Sequence, residues 1–135
     1  MRVHHIGYIV DNMLNAIREF AALGYEIIQE TQYDSKRDID ITFIENNGMV
    51  IELVMPKSKE SVIYKLAGKF KNMPYHICYE SKNLQNEIKE LEKRGYIVIQ
   101  KPETASAINN KKVAFLMHLD IGMIELVEKN EGAEL

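Results

Sequence analysis

The chain has 135 residues, the length of one compact domain, which is enough to bury well over half of the unfolded surface. A hydrophobic content of 46% with 27% charged residues is typical of a globular protein with a packed core and excludes a disordered chain. The net charge of -3 does not favour nucleic-acid binding, because such proteins concentrate Lys and Arg on one face. The one basic cluster is interpreted as a solvated face, with contact to an anionic substrate as the alternative. It comprises Lys57, Lys59, Lys65, Lys69 and Lys71.

Neither a membrane span nor a signal peptide is recognisable in the sequence. No apolar run approaches the roughly 20 residues of a membrane helix, and the N-terminus lacks the basic and apolar segments of a signal peptide. We therefore expect a cytoplasmic protein without a membrane partner. Cys78 is the only cysteine, so no disulfide forms within the chain, and its apolar surroundings predict a buried, inert thiol.

The first part of the chain predicts a strand, a helix and three further strands. Residues 3–9 alternate as a short strand that we expect to be buried on both faces. Apolar residues then recur at helical spacing over residues 13–23, and Gly24 follows where a helix end favours a positive φ. The sequence Asn46-Asn47-Gly48 is typical of a tight turn between two strands. The three predicted strands cover residues 25–31, 39–45 and 49–55.

The same pattern occurs a second time. A shift of 71 residues places His5 on His76, and 11 of the 25 positions from residue 5 to residue 29 are then identical. With two residues inserted in the second copy, Glu52 falls on Glu125. A two-copy repeat predicts a paired domain of two βαβββ modules. The identical pairs include Asn12 and Asn83, Asn15 and Asn86, Gly24 and Gly95, and Gln29 and Gln100. The predicted parts of this single domain (1–135) are a first module at 1–56, a connector at 57–73 and a second module at 74–130.

The duplication keeps one histidine on the first strand and one glutamate on the last strand of each copy. Both glutamates lie in apolar stretches, where an unpaired carboxylate costs several kcal/mol and needs a partner. A single glutamate of this kind would be interpreted as a strand-end charge that reaches water, but its presence in both copies favours a shared site. Two imidazoles and two carboxylates suit a divalent metal ion with open coordination positions. The predicted ligands are His5, Glu52, His76 and Glu125.

Two other histidines are not predicted to bind metal. His4 aligns with Tyr75 and is interpreted as structural or as a support for a ligand. His118 aligns with Glu45 and lies beside a turn.

These residues resemble the vicinal oxygen chelate superfamily, which includes glyoxalases, bleomycin-resistance proteins and extradiol dioxygenases. The resemblance covers residues 3–128, and the stretches 5–10, 51–56 and 75–80 are similar to methylmalonyl-CoA epimerases and lactoylglutathione lyases. It implies an α+β fold in which two βαβββ modules form a curved mixed sheet around a central metal, and it places the family's metal positions on the four predicted ligands. Met117-His118 stands where epimerases carry His-Pro, and Asp38 and Asp40 are the nearest acidic residues to the second acid/base carboxylate of epimerases. No arginine pattern marks a glutathione site.

The resemblance implies an isomerase or lyase that moves a proton next to a metal-chelated carbonyl through an enolate. Glu125 or Glu52 would then carry the proton, and the substrate would be a small molecule such as a thioester or a thiol adduct. The ion is Zn, Ni, Co, Mn or Mg, which the sequence does not distinguish, and the resemblance implies a homodimer. A drug-sequestering protein without catalysis is the alternative. Extradiol dioxygenases use iron with two histidines and one carboxylate, so Glu52 as a fourth ligand argues against them.

Overall fold

A computed structural model describes residues 1–69 and 71–129 of the chain. The chain divides into two compact units. The N-terminal unit is His5–Tyr75, and the C-terminal unit combines Met1–His4 with the residues from His76 onward. The predicted end of the second module, residue 130, lies outside the described residues.

The N-terminal unit contains four strands and two helices. The elements are β1 (Val3–Ile9, mostly in this unit), α1 (Met13–Ala22), β2 (Glu26–Asp34), β3 (Ile39–Asn46), β4 (Met49–Pro56) and α2 (Tyr64–Lys69). The strands form a mixed arrangement in the order β2-β3-β4-β1. β1 runs parallel to β4, whereas β2, β3 and β4 pair in antiparallel fashion. The short helix α2 lies within the predicted connector.

The C-terminal unit repeats this arrangement. Its elements are β5 (Met73–Ser81, mostly in this unit), α3 (Leu84–Lys93), β6 (Ile97–Ala105), a 3₁₀ turn (Ser106–Ile108), β7 (Lys111–His118) and β8 (Gly122–Glu128). The strand order is β5-β8-β7-β6, and β5 runs parallel to β8. The predicted α+β fold with two βαβββ modules is therefore confirmed. No helix in the described part of the chain is long and apolar enough to span a membrane.

In each unit one helix packs against one face of the strands. The apolar stripe of α1 covers Ile44, Ile51 and Leu53, and that of α3 covers the equivalent side chains of its own unit. Because side chains alternate along a strand, the residues between these apolar positions point to the opposite face. The residues on this opposite face include Glu52 of β4 and Glu125 of β8.

The alternation is clear on β1. His5, Gly7 and Ile9 are buried, while His4, Ile6 and Tyr8 are half-buried. The expectation that both faces of this strand are buried is met from His5 to Ile9 on one face, whereas the other face is only partly buried, with Tyr8 packed against the core.

The predicted turn between the last two strands of the N-terminal unit is confirmed. β3 ends at Asn46 and β4 begins at Met49, so that Asn47 and Gly48 form a two-residue connection. Both residues have positive φ, +49° and +87°, the backbone conformation that an Asn-Gly hairpin turn requires. This turn fixes the register in which Phe43 stands opposite Glu52.

Candidate metal centre

The N-terminal unit pairs a buried histidine with a buried glutamate. Glu52 stands opposite Gly7 in the parallel pairing of β4 with β1, and His5 lies two residues before Gly7 on the same face of β1. His5 Nε2 and Glu52 Oε1 are 3.6 Å apart. The two residues are only 1% and 5% exposed, so their polar ends face each other in a nearly closed environment.

The C-terminal unit repeats the pair with a shorter separation. Glu125 stands opposite Cys78 in the pairing of β8 with β5, and His76 lies two residues before Cys78. His76 Nε2 and Glu125 Oε1 are 3.0 Å apart, and both residues are 3% exposed. Cys78 itself is fully buried, as predicted.

A phenylalanine contacts each histidine ring. Phe43 meets the His5 ring edge to face at a centroid distance of 5.5 Å, and Phe115 meets the His76 ring in the same way at 5.3 Å. Phe43 stands opposite Glu52, and Phe115 stands opposite Glu125. These rings restrict the imidazole planes, which keeps Nε2 directed at the carboxylate in each pair.

The donor atoms of the two pairs suit a transition-metal ion. An imidazole nitrogen and a carboxylate oxygen are ordinary ligands of divalent ions, and a bound cation would balance the buried carboxylate charge of each glutamate. His5 with Glu52 in one unit, and His76 with Glu125 in the other, are therefore candidate metal ligands.

His118 has a structural role that occupies both of its ring nitrogens. Its Nδ1 accepts a hydrogen bond from the backbone N–H of Asp120 at 3.1 Å, so the hydrogen lies on Nε2, which donates to the carbonyl oxygen of Arg94 at 3.2 Å. Asn46 makes the equivalent bond in the N-terminal unit, from its side-chain nitrogen to the oxygen of Leu23. The sequence alignment paired His118 with Glu45, but the structural counterpart of His118 is Asn46.

Asp38 and Asp40, the nearest acidic residues to a second acid/base group, bind other side chains. The Asp38 carboxylate accepts hydrogen bonds from the Ser58 and Tyr33 hydroxyls, which together lower its pKa. Asp40 forms an ion pair of 3.1 Å with Lys57 and lies on the face of β3 opposite to Phe43. Asp40 therefore does not lie on the face that carries the His5 and Glu52 pair, and Asp38 precedes β3.

The comparisons with known proteins agree with this fold. The chain matches the family model described as Glyoxalase/Bleomycin resistance protein/Dioxygenase superfamily over residues 4–115, and it belongs to this superfamily. A comparison with curated proteins finds no match. Among solved structures, the hypothetical protein BH1468 from Bacillus halodurans C-125 is 27% identical, with a TM-score of 0.86 over 99% of this chain and 98% of the other.

Two methylmalonyl-CoA epimerases are also similar in structure. The enzyme from Mycobacterium tuberculosis is 21% identical, with a TM-score of 0.82 over 96% of this chain and 88% of that one. A variant of the Streptomyces coelicolor enzyme, in complex with 2-nitronate-propionyl-CoA, is 17% identical, with a TM-score of 0.84 over 100% and 99% of the two chains. At these identities the epimerases share the fold of this chain.

Proposed function

We propose that this protein is a metal-dependent isomerase or lyase that moves a proton next to a carbonyl group of its substrate. In this proposal His5, Glu52, His76 and Glu125 together hold one divalent ion. The observation that carries it is the buried His–Glu pair at the same strand positions of both units. A contribution to stability alone does not explain why this pair occurs in both units, because two apolar residues of similar volume often stabilise a protein as well as a buried ion pair does.

The carboxylates supply the acid/base chemistry of the proposal. A divalent ion held by these residues would supply Lewis-acid stabilisation of the charge that develops on the substrate carbonyl. The carboxylate of Glu125 then takes the proton from the carbon beside the carbonyl, while the electron pair of the broken C–H bond stays on the substrate. The same carboxylate returns the proton to complete the isomerisation. His5 and His76 position the ion, and Glu52 serves as the alternative base.

The comparisons support a thioester as the first substrate to test. A structurally similar epimerase binds 2-nitronate-propionyl-CoA, a CoA compound. A thiol adduct such as a hemithioacetal presents the same arrangement of a carbon acid beside two oxygens, so it is the second substrate class. We propose that the protein acts on such a small molecule as a cytoplasmic homodimer.

Hydrogen exchange with deuterated solvent tests the proposal. Co²⁺-loaded protein is mixed with methylmalonyl-CoA, and separately with the hemithioacetal of methylglyoxal, and deuterium at the carbon beside the carbonyl is followed by NMR. We expect exchange with the wild-type protein and a loss of about 10² to 10⁴-fold with Glu125→Gln, because general-base catalysis contributes that much. Metal affinity should fall only modestly, because the amide retains one oxygen.

Glu52→Gln is the matched variant from the other unit. If Glu125→Gln exchanges at the wild-type rate and Glu52→Gln does not, the base is Glu52. Wild-type protein that holds its metal ion, binds these compounds and exchanges no hydrogen contradicts catalysis and supports the sequestering alternative.

A further inference from the structure

β6 contains a bulge that changes the direction of Gln100. Val98 stands opposite Leu116 and Gln100 stands opposite Phe115. The chain therefore advances by two residues along β6 where it advances by one residue along β7. In a regular strand Val98 and Gln100 would point to the same face. Val98 packs in the core beneath α3, and the bulge turns Gln100 to the opposite face.

That opposite face is the one that carries the C-terminal His–Glu pair. Gln100 stands opposite Phe115, and Phe115 in turn stands opposite Glu125, so the three side chains form one row across β6, β7 and β8. With neighbouring strands nearly 5 Å apart, the backbone of Gln100 lies about 10 Å from that of Glu125.

The side-chain nitrogen of Gln100 is enclosed and has no hydrogen-bond partner within residues 1–69 and 71–129. Buried amide nitrogens are nearly always hydrogen-bonded, so this donor calls for an acceptor. The N-terminal unit contains the same bulge, with Gln29 opposite Phe43. Gln29, however, already makes an interaction of its own. Among the described glutamine side chains, the enclosed amide nitrogen without a partner is that of Gln100.

We propose that Gln100 is a substrate-binding residue whose side-chain N–H donates a hydrogen bond to an oxygen at the far end of the substrate. This inference rests on the proposed function and specifies the substrate class. The ligand has two metal-chelating oxygens near Glu125, a short apolar segment beside Phe115, and a carboxylate or acyl oxygen at Gln100. In this proposal the bulge directs the Gln100 amide toward the ligand, in agreement with the frequent occurrence of bulges beside active sites.

Two oxo acids with the same carbon skeleton test this inference by calorimetry on Co²⁺-loaded protein. Both 2-oxoglutarate and 2-oxopentanoate chelate a metal through the 2-oxo acid, but only 2-oxoglutarate carries a second carboxylate. We expect the wild-type protein to prefer 2-oxoglutarate and Gln100→Leu to lose about tenfold of that preference, the typical contribution of a hydrogen bond to a charged group. Gln85→Leu makes the same chemical change at an exposed position of α3 and should keep the wild-type preference.

The second variant, Gln100→Glu, keeps the side-chain shape and should reverse the preference toward 2-oxopentanoate, because two carboxylates repel. All three variants should bind Co²⁺ with wild-type affinity. A substitution that merely disturbed the structure of the site would weaken Co²⁺ binding as well. An unchanged preference in Gln100→Leu and Gln100→Glu, or no preference in the wild type, overturns the role of Gln100 alone. Failure of the wild-type protein to bind Co²⁺ overturns the proposed function and this inference with it.

Discussion

His118 and His76 show how the same side chain takes two roles in one unit. Both ring nitrogens of His118 bind the backbone, whereas His76 directs Nε2 at a buried carboxylate. The bond from His118 to Arg94 joins the end of α3 to the end of β7. A histidine whose nitrogens are both occupied by the backbone is not available to a metal ion.

His118→Ala should therefore lower the free energy of unfolding without changing metal affinity. Losing the bond to Arg94 costs about 1 kcal/mol, and His118→Asn should recover part of it, because Asn46 makes the same bond in the other unit. Urea denaturation and Co²⁺ titration measure the two effects. A His118→Ala protein with clearly weaker Co²⁺ binding would contradict the structural role.

The sequence predicts the four candidate ligands but not the two phenylalanines that contact the histidine rings. The repeat is in register at an offset of 71 up to Gln29 and Gln100, whereas Phe43 matches Phe115 at 72 and Glu52 matches Glu125 at 73. The two inserted residues thus enter at different places. An alignment with one insertion of two residues misses the phenylalanine pair and assigns Glu45 to His118.

At the scale of elements, both long helices begin in the same way. The Asn12 side chain accepts a hydrogen bond from the backbone of Asn15, and the Asn83 side chain accepts one from Asn86, each at 3.0 Å. These caps satisfy backbone groups that have no partner within the helix. They explain why these asparagines recur in the two copies.

Asn83→Ala and Asn12→Ala should each lower the free energy of unfolding by about 1 kcal/mol, the usual contribution of an N-cap. Asn83→Asp should keep the cap, since a carboxylate accepts the same bond and suits the positive end of the helix dipole. Asn86→Ala is the matched control inside the helix and should be neutral or stabilising. Chemical denaturation compares the four variants, and equal losses for Asn83→Ala and Asn86→Ala would contradict the capping role.

The strands and long helices are predicted from periodicity, but two features of the elements are not. The helix α2 is only six residues long, so its pattern in the Lys-rich connector is too short to stand out. The bulge of β6 is invisible because strict alternation places Gln100 on the same face as Val98. The bulge cannot be recognised from the amino acids around it, because the residues on both sides of it are compatible with a regular strand.

At the scale of the whole molecule, the duplication gives both units the same arrangement of candidate ligands. Each unit supplies one imidazole and one carboxylate from equivalent strands, so neither unit contains all four candidate ligands. The repeat and the superfamily are evident from the sequence, because the candidate ligand residues recur at fixed places in two copies. The homodimer stays a prediction, which light scattering at micromolar concentration tests.

Metal stoichiometry tests most directly the claim that the two pairs hold one ion. Protein stripped with a chelator and equilibrated with Co²⁺ should contain one ion per chain by elemental analysis. His5→Ala and His76→Ala, which lie in different units, should each weaken Co²⁺ binding by about tenfold or more, because even an outer partner of a ligand contributes that much. Two ions per chain, or wild-type affinity in either variant, would contradict a single site shared by His5, Glu52, His76 and Glu125.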